Sequence, residues 1–401
     1  ITGTGSSDCV INLAAELAEG TGGRSFDSSA PDEQIAQAIA DVVEEACLEA
    51  AVALLDPVTS LGAGADLEFL DGTSPTGIVR NAETLGTLQN AVGGVAADGA
   101  TRVVVRVPAT GEGTVTLDLR DAAGRGGLGE LVDLDGNGPP TLGPLTVPTT
   151  FDSQREEWFA YAVYTAPRNF VSRNEHRFLA EREAVIRATF DPADGPAQSP
   201  VSRTFRIVRP GIALVHGVWS NPATWSDLEL PQIAPFIERK SYQNTNDEEY
   251  DVNADVVRSA VQTVRNAMRL RDIASTQVDV IGHSMGGILG RLYAGSENLN
   301  RPDNFFAGDL NRLITIASPH QGSPFADLLV EPDGTPNGQA TAIGDVVETL
   351  GAPFLGEVDN GAVLDLRTDS LETLNFPAAN VPAHAVVGIG GRPTLNLLQT
   401  G

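Results

Sequence analysis

The sequence predicts a chain of several domains, with a doubly wound, mostly parallel α/β sheet in its C-terminal half. Its 401 residues are more than a single hydrophobic core usually organises. Short apolar runs separated by Gly, Pro and Asp fill residues 56–209 and favour an antiparallel β-sandwich. After Arg209-Pro210, buried apolar runs alternate with amphipathic helical stretches, as in βαβ units. We therefore divide the chain into residues 1–55, 56–209 and 210–401.

The composition is that of a strongly acidic globular protein. The chain has 53 acidic and 26 basic residues, which gives a net charge of -27. Such a charge repels phosphate backbones, so we expect neither nucleic acid nor an anionic membrane as a steady partner. The chain has no apolar run of about 18 residues and does not open with a basic stretch followed by an apolar core, so we expect neither a membrane span nor a signal peptide in it. We also expect no cofactor.

The first segment, residues 1–55, is predicted to be largely helical. Its pattern favours one helix over Val10–Ala18 and a second over Pro31–Ala53, which has acidic first residues and an apolar stripe. Cys9 and Cys47 lie here, and they either pair as a disulfide or remain two buried thiols. The chain opens without Met, so we expect that it begins within a domain.

A glycine-rich stretch in this segment, Leu17-Ala18-Glu19-Gly20-Thr21-Gly22-Gly23-Arg24-Ser25-Phe26, is followed by the second helix. Over residues 1–53 this order resembles the closing portion of a von Willebrand factor A domain. The resemblance implies a partial α/β segment. The metal site of that family begins with a DxSxS loop near the start of the domain, and residues 1–53 contain no such triplet. We therefore expect the metal-binding part to lie upstream.

Residues 56–209 are predicted to form an immunoglobulin-like β-sandwich. In the runs near residues 102 and 114, alternate side chains can face a core while the others face water. The candidate strands are Asp66–Leu70, Arg102–Val107, Thr114–Leu119, Trp158–Tyr164, Ala184–Phe190 and Arg203–Val208.

One loop of this domain has the spacing of a calcium site. Asp133, Asp135 and Asn137 stand at alternate positions, with Gly136 at the tight turn. The twelfth position, which holds Glu in such loops, is Pro144. Turns rich in Asp and Asn use the same residues for backbone reasons alone. Both interpretations stay open, and we assign no metal to the chain.

The third segment, residues 210–401, has the pattern of a parallel sheet covered on both faces. Its apolar runs lack clean alternation, as expected for buried parallel strands. The candidate strands are Ile212–Val215, Gln277–Ile281, Arg312–Ala317 and Ala385–Ile389. One face of an intervening helix is marked by Val256, Val257, Ala260, Val261, Val264 and Met268.

The motif Gly282-His283-Ser284-Met285-Gly286 fits G-x-S-x-G. It follows a predicted strand and precedes the helical run Ile288–Tyr293, which is the context of a nucleophile elbow. This sharp turn holds the serine in a strained conformation. The residues two before and two after it must be small, because the strand and helix backbones pass close together. Gly282 and Gly286 meet that requirement.

Two backbone N–H groups are candidate donors to an oxyanion. The Met285 amide stands at the start of the predicted helix, where the helix end is positive. The loop Leu214-Val215-His216-Gly217-Val218-Trp219 ends an earlier strand, and we assign the second donor to Val218. A glycine-rich turn of purely structural use is the alternative for this loop.

Three motifs recur in this order in a known family: His216-Gly217, the Ser284 motif with Gly287, and Ser318-Pro319-His320-Gln321-Gly322-Ser323. Residues 209–390 resemble the lipase and esterase branch of the α/β-hydrolases, which includes bacterial lipases and relatives of the GPI inositol deacylase. The resemblance implies a hydrolase fold and Ser284 as nucleophile, with Val218 and Met285 as oxyanion donors. It also implies site-lining positions, which are His216, Gly217, His283 and His320.

The catalytic acid and base must both follow the serine in the chain. The histidines are His176, His216, His283, His320 and His384. Chain order excludes the first three, and His320 leaves almost no room for an acid before it. His384 satisfies the order, with Asp365 or Asp369 as the acid, but it precedes a predicted strand and so lies at the wrong end of the sheet. We expect the chain to end before its acid and base, and we expect this piece to be nearly inactive.

These observations predict a secreted or cell-surface serine hydrolase that acts on carboxylic esters, including lipids, through an acyl-enzyme on Ser284. The alternative is a non-catalytic binding or adhesion protein on a degenerate hydrolase frame. In either case the two N-terminal domains are candidates for contacts with protein or surface partners.

Overall fold

The computed structural model describes residues 52–62, 64–65, 67–121, 126–136, 138–228, 234–333, 335, 361–370 and 381–387. The predicted helix Val10–Ala18, residues 31–51 of the second predicted helix and the pair Cys9 and Cys47 lie outside the described residues. The end of the second helix is wrong, because Ala53 begins a strand. The resemblance to a von Willebrand factor A domain therefore stays a prediction.

Residues 52–209 form a mostly antiparallel sheet. Its strands are β1 (Ala53–Leu55), β2 (Gly94–Ala96), β3 (Arg102–Ala109), β4 (Gly113–Arg120), β5 (Glu130–Asp133), β6 (Leu145–Asp152), β7 (Glu157–Thr165), β8 (Glu181–Pro192) and β9 (Val201–Val208). The short helix α1 (Ala82–Thr87) lies between β1 and β2. The strand order is β1-β3-β7-β6-β4-β8-β9-β2, and β5 pairs with β7 beside this path.

Strand β6 joins the two halves of this sheet. Its first half pairs with β4 and its second half pairs with β7, both antiparallel. Buried side chains of β3 and β7 share one apolar cluster with those of β4, β8 and β9. The sheet thus folds around a core that the alternating residues fill. The immunoglobulin-like classification stays a prediction.

Most of the predicted strands of this region are present, but Asp66–Leu70 is wrong as a strand. The described residues 67–70 form a turn, and only Leu70 makes an isolated bridge, to Ile78. Strand β1 begins inside the segment that we assigned to residues 1–55, because Val52 and Leu54 pack into the core of the sheet.

Residues 210–387 contain the parallel sheet. Its strands are β10 (Ile212–Val215), β11 (Ile237–Lys240), β13 (Val278–His283), β14 (Leu310–Ile316) and β15 (Ala383–Val386), while β12 (Ile273–Ala274) joins the first sheet. The α-helices are α2 (Val256–Arg269), α3 (Met285–Ala294), α4 (Pro324–Leu329) and α5 (Gly361–Asp365).

The order of the five parallel strands is β11-β10-β13-β14-β15. The predicted apolar stripe of α2 and the buried side chains of α3 pack on one face of the sheet, and Leu214, Trp225 and Ile281 form a smaller cluster on the other. Val215 is paired with Gly282 and His283 with Ile316, so the carboxyl ends of the three central strands lie level. Ser284 therefore follows the middle strand at this edge.

The two sheets are packed directly against each other. Strand β2 pairs in parallel with both β9 and β12, so the ladder of the first sheet continues into the second half of the chain. The Asp98 carboxylate accepts hydrogen bonds from the Thr276 and Gln277 amides at 3.0 and 2.8 Å. Arg269 Nε lies 2.9 Å from Asp56 Oδ2. These contacts hold both halves as one packed unit.

None of the described helices is long and apolar enough to cross a lipid bilayer.

A buried cluster of charges lies where α2 meets the segment before β14. Arg265 is fully buried, and its Nη1 lies 3.2 Å from Asp303 Oδ2. Arg301 contacts the other Asp303 oxygen at 3.0 Å and Asp309 at 2.6 Å. The Gly62 amide also donates to Asp303, at 3.2 Å. Burial alone would raise the pKa of Asp303, but the two guanidinium groups hold it below its ordinary value.

Asp303→Asn removes the carboxylate that is in direct contact with the buried Arg265 charge. We expect the free energy of unfolding to fall by about 3–5 kcal/mol, the usual penalty for breaking a buried ion pair on one side. Urea denaturation followed by circular dichroism measures it. Asp251→Asn, at an exposed turn position, is the matched control and should leave the midpoint unchanged. Equal midpoints for both variants would contradict this account of the cluster.

Candidate active site

Ser284 lies in a sharp turn between β13 and α3. Its backbone has φ 52° and ψ −125°, which a residue other than glycine rarely adopts. The Ser284 N–H donates to the Ile316 carbonyl at 2.9 Å, and the Ser284 carbonyl accepts from the Gly287 amide at 3.0 Å. The side chain is partly exposed at the carboxyl edge of the sheet. The strained strand-to-helix turn that the motif predicts is thus present.

The glycines beside Ser284 leave no room for a side chain. A Cβ on Gly282 would lie 2.5 Å from the Gly286 carbonyl oxygen, and a Cβ on Gly286 would lie 2.5 Å from the His216 carbonyl oxygen. Both distances are shorter than real Cβ atoms show. The end of β13, the first turn of α3 and the loop after β10 therefore pack backbone against backbone.

The loop after β10 contacts the serine directly. A Cβ on Gly217 would lie 2.7 Å from Ser284 Cβ and 3.2 Å from its Oγ. The next amide is that of Val218, and among the described residues no acceptor is found for it. Met285 is the first residue of α3, so its N–H has no acceptor within the helix. Both predicted oxyanion donors are therefore amides next to the nucleophile that have no acceptor among the described residues.

Buried side chains hold this loop from behind. The His216 ring stacks on Tyr242, with centroids 4.3 Å apart, and its Nε2 accepts from the Tyr242 amide at 3.3 Å. The Tyr242 hydroxyl donates to the His216 carbonyl at 2.6 Å. Asn246 Nδ2 donates to the Ser220 carbonyl at 2.6 Å. The loop is thus fixed on both sides of Val218.

His216 is predicted to line the site, but its side chain lies beneath the loop and is 0% exposed. Burial lowers its pKa below the ordinary value, although the bond to Gly217 opposes this shift. Because Nε2 accepts a hydrogen bond, the proton of the neutral ring is on Nδ1, which lies 3.0 Å from the Gly217 carbonyl oxygen. His216 therefore acts on the site through the loop backbone.

Tyr242 and Asn246 hold the loop of the candidate site, and the sequence analysis missed both. They follow β11, a strand at the edge of the sheet, and no motif surrounds them. Their side chains reach the Ser284 region only because β11 pairs with β10 in parallel. The polar run Tyr242-Gln243-Asn244-Thr245-Asn246 after that strand is the one feature in the sequence that points to them.

His283 lies beside the nucleophile on β13. Its ring makes an edge-to-face contact with Trp225, with centroids 6.4 Å apart and planes at 85°. His283 Nδ1 and Trp225 Nε1 are both buried without a hydrogen-bond partner among the described residues. Burial lowers the pKa of His283, so the ring is neutral at neutral pH.

The segment after β14 covers the start of α3. A Cβ on Gly287 would collide with the Ser318 side chain and would lie 3.0 Å from Thr315 Cβ. His320 Nε2 lies 3.1 Å from Thr315 Oγ1. Burial, followed by the charge of Arg291, lowers the pKa of His320. The position of His320 beside the helix that carries the elbow agrees with a site-lining role.

The structure does not bring together the predicted acid and base. The Asp365 carboxylate accepts from the Tyr250 amide at 2.7 Å. Asp369 is paired with Arg367 at 2.8 Å. In the described part of the chain, no hydrogen bond joins His384 to either acid or to Ser284.

His384 is the second residue of β15, an exposed strand that is separated from β13 by β14. It is level with Ile314, two residues short of the carboxyl end of β14. His384 therefore lies inside the strand and two residues below the edge that carries Ser284, whereas the sequence analysis places it before the strand, at the amino end of the sheet.

The candidate calcium loop begins at the end of β5. Gly136 has φ 65°, and its N–H donates to the Asp133 carbonyl at 3.1 Å, which forms a tight turn. Asp135 faces Arg80 at 3.8 Å. Asn137 lies outside the described residues. No group of three or more potential metal ligands occurs among the described His, Cys, Asp and Glu side chains.

Residues 245–330 match the family model described as the PGAP1-like alpha/beta domain. The matched segment spans β13, the Ser284 turn, α3 and the His320 segment. The C-terminal half has an α/β-hydrolase-like fold.

Several solved structures are similar to part of the chain. A gene product of Listeria innocua is 16% identical with a TM-score of 0.24, over 48% of this chain and 94% of its own. An esterase B from Lactobacillus rhamnosis is 12% identical with a TM-score of 0.27, and the similarity covers 51% of this chain and 70% of the esterase chain. A bacterial membrane phospholipase A is 12% identical with a TM-score of 0.25, and the similarity covers 51% of this chain and 66% of the phospholipase chain. No curated protein sequence matches the chain. The α/β-hydrolase-like assignment depends on the sheet order, the Ser284 turn and the matched segment.

Gly286→Ala should destabilise the fold, because its Cβ would meet the carbonyl oxygens of two neighbouring residues that cannot rotate away. Overpacking of this kind typically costs about 1–3 kcal/mol, which exceeds the gain of up to about 1 kcal/mol in helix propensity. Urea denaturation measures the change. Gly111→Ala, where nothing lies within 4 Å of the new Cβ, is the control and should be neutral or slightly stabilising. A Gly286→Ala protein as stable as the control would refute the close backbone contact.

Proposed function

We propose that the protein is a serine hydrolase of carboxylic esters and that Ser284 is its nucleophile. The observation that carries this proposal is the strained Ser284 backbone at the tip of the central strand, held between glycines. A strained conformation has to be stabilised by its surroundings, and such strain is concentrated at functional sites. The unpaired amides of Val218 and Met285 beside the serine are further support. Lipid esters are within the proposed substrate class.

The proposed reaction has two halves. Ser284 Oγ attacks the ester carbonyl carbon while its proton passes to a general base, and the carbonyl oxygen becomes an oxyanion. The Val218 and Met285 amides donate to this oxygen, and the positive end of α3 adds to their effect. The C–O bond to the alcohol then breaks, and the alcohol leaves with the proton. Water hydrolyses the acyl-enzyme by the same steps, which releases the acid and restores Ser284.

The candidate general base is His384. Hydrogen bonds to a catalytic base are often long in free enzymes, so the resting geometry alone does not exclude a candidate. We keep His384, with Asp365 or Asp369, because it follows Ser284 with room for an acid between them. His384 would have to reach the edge of the sheet. Its side chain is exposed, while its strand β15 is held by parallel pairing with β14.

Labelling with a fluorophosphonate probe tests the nucleophile. The serine oxygen displaces fluoride from phosphorus, which leaves a covalent adduct. With His384 as the base, the chain would not be nearly inactive as the sequence analysis expects. We then expect the wild-type protein to be labelled and Ser284→Ala to lose labelling by about a hundredfold or more, since no other described serine has this backbone geometry. Fluorescence of the labelled band in a gel, followed by peptide mass spectrometry, measures the adduct.

Ser318→Ala is the matched control, because this serine touches the same helix start at Gly287 but has an ordinary backbone. It should keep its label. A folded wild-type protein that remains unlabelled would refute the hydrolase proposal and favour the non-catalytic binding protein. His384→Ala, in the same series, should slow labelling strongly if His384 is the base, and an unchanged rate would remove it from the mechanism.

Tyr242→Phe tests whether the loop is held for catalysis. The change removes the 2.6 Å bond to the His216 carbonyl and leaves the stacked ring. Because the loop amide binds the oxyanion mainly in the transition state, we expect kcat to fall about tenfold with KM nearly unchanged. Hydrolysis of a p-nitrophenyl ester measures both constants. Tyr161→Phe is the control, since that hydroxyl is buried without a hydrogen-bond partner in the described chain. Equal kcat values for the two variants would contradict the positioning role.

A further inference from the structure

A cavity lies at the seam between the two sheets, away from Ser284. Its volume is about 180 Å³. It is lined by residues at the amino ends of the parallel strands, among them Ile212 and Asp279, and by Arg168 and Phe170 from the loop after β7. Ser284 stands at the carboxyl ends of the same strands. The cavity is therefore separated from the candidate active site by the length of β13.

The lining of this cavity is positively charged, although the chain is strongly acidic. Arg168, Arg209 and Arg312 all line it, and Asp279 is the one acid in the lining. These groups carry a net charge of about +2, counting each guanidinium as +1 and the carboxylate as −1. The whole chain has a net charge of -27. The three guanidinium groups come from three separate segments, so their convergence is a result of the fold.

The polar groups of the cavity differ in how they are held. Arg209 donates to the carbonyls of Leu179 and Arg177 at 2.9 and 2.8 Å, and its guanidinium lies 5.1 Å from the centre of the Phe170 ring. In contrast, the side chains of Arg168 and Arg312 make no hydrogen bond or ion pair to another described residue. Two guanidinium groups are thus available to a ligand beside a third that is fixed.

The carboxylate in the lining, that of Asp279, already has a hydrogen-bond partner. Asp279 Oδ1 accepts from Asn311 Nδ2 at 2.7 Å. Burial raises the pKa of Asp279, although its bond to Asn311 and the charges of Arg312 and Arg209 oppose this shift. Asp279 forms no ion pair within 4 Å with the arginines among the described residues, so it does not neutralise them at close range. An added oxyanion would do so through charge-assisted hydrogen bonds, which guanidinium groups form in pairs.

We propose that this cavity binds a small oxyanion of the phosphate class, held by Arg168 from the first sheet and Arg312 from the second. A water molecule takes up about 30 Å³ in the liquid, so the cavity has room for such an ion with several waters. The ligand is a free ion, because the net charge of the chain opposes approach to an anionic bilayer. Since its two main contacts come from different sheets, the ion ties the halves of the protein together.

Isothermal titration calorimetry with inorganic phosphate at low ionic strength tests the site. We expect one site per chain, and we expect Arg312→Gln to weaken binding at least tenfold. Asp279→Asn should strengthen binding, because it removes the negative charge and keeps an acceptor for Asn311. Arg187→Gln removes one positive charge on β8, outside the lining, and is the matched control. It should bind as the wild type does.

Arg168→Gln gives a second reading if Arg312→Gln fails to fold, since Arg168 is exposed in a loop. Binding to vesicles of phosphatidylcholine with phosphatidic acid is measured in a separate experiment. The proposal is overturned if phosphate binds no better than chloride at equal ionic strength, or if Arg312→Gln and Arg168→Gln bind like Arg187→Gln. It is also overturned if the vesicles bind and free phosphate does not.

Discussion

The backbones of three segments meet at Ser284 without side chains between them, and the geometry of the site depends on this contact. The end of β13, the first turn of α3 and the loop after β10 approach so closely that only glycine fits at Gly217, Gly282 and Gly286. A strained residue such as Ser284 costs about 1–3 kcal/mol. Hydrogen bonds to both of its backbone groups help to stabilise it. The same contact places the Val218 and Met285 amides, which have no acceptor among the described residues, next to Ser284.

The rest of the molecule supports this contact in layers. Behind the loop, the stacked pair His216 and Tyr242 and the amide of Asn246 fix its carbonyl groups. Below the sheet, α2 and α3 share one apolar core with the strands. At the far edge, β2 pairs with β12, and Asp98 binds the backbone just before β13. The antiparallel sheet is therefore part of the scaffold of the site. The cavity proposed to bind a phosphate-class ion lies where the antiparallel and parallel sheets meet.

The parts that could be predicted from the sequence are local in origin. The buried apolar runs predicted β10, β13 and β14, with small shifts at their ends. The G-x-S-x-G spacing predicted the turn at Ser284. Both predictions succeeded because a strand and a turn of this kind depend on residues that are neighbours in the sequence. The short strands β2, β11 and β12 could not be predicted, since they have too few residues for a pattern and form only by pairing with distant segments. Tyr242, Asn246 and the arginine-lined cavity were missed for the same reason. His216 was placed in the site by the resemblance of His216-Gly217 to a family motif, whereas burial decides where its ring lies.

The central claim is that the close backbone contact makes Ser284 a nucleophile with two amide donors beside it. A crystal structure of the protein after reaction with a phosphonate ester tests this claim most directly. We expect the phosphorus bonded to Ser284 Oγ and one phosphonyl oxygen about 2.7–3.1 Å from the amide nitrogens of both Val218 and Met285. An adduct on another residue, or a phosphonyl oxygen that points away from both amides, would contradict the account.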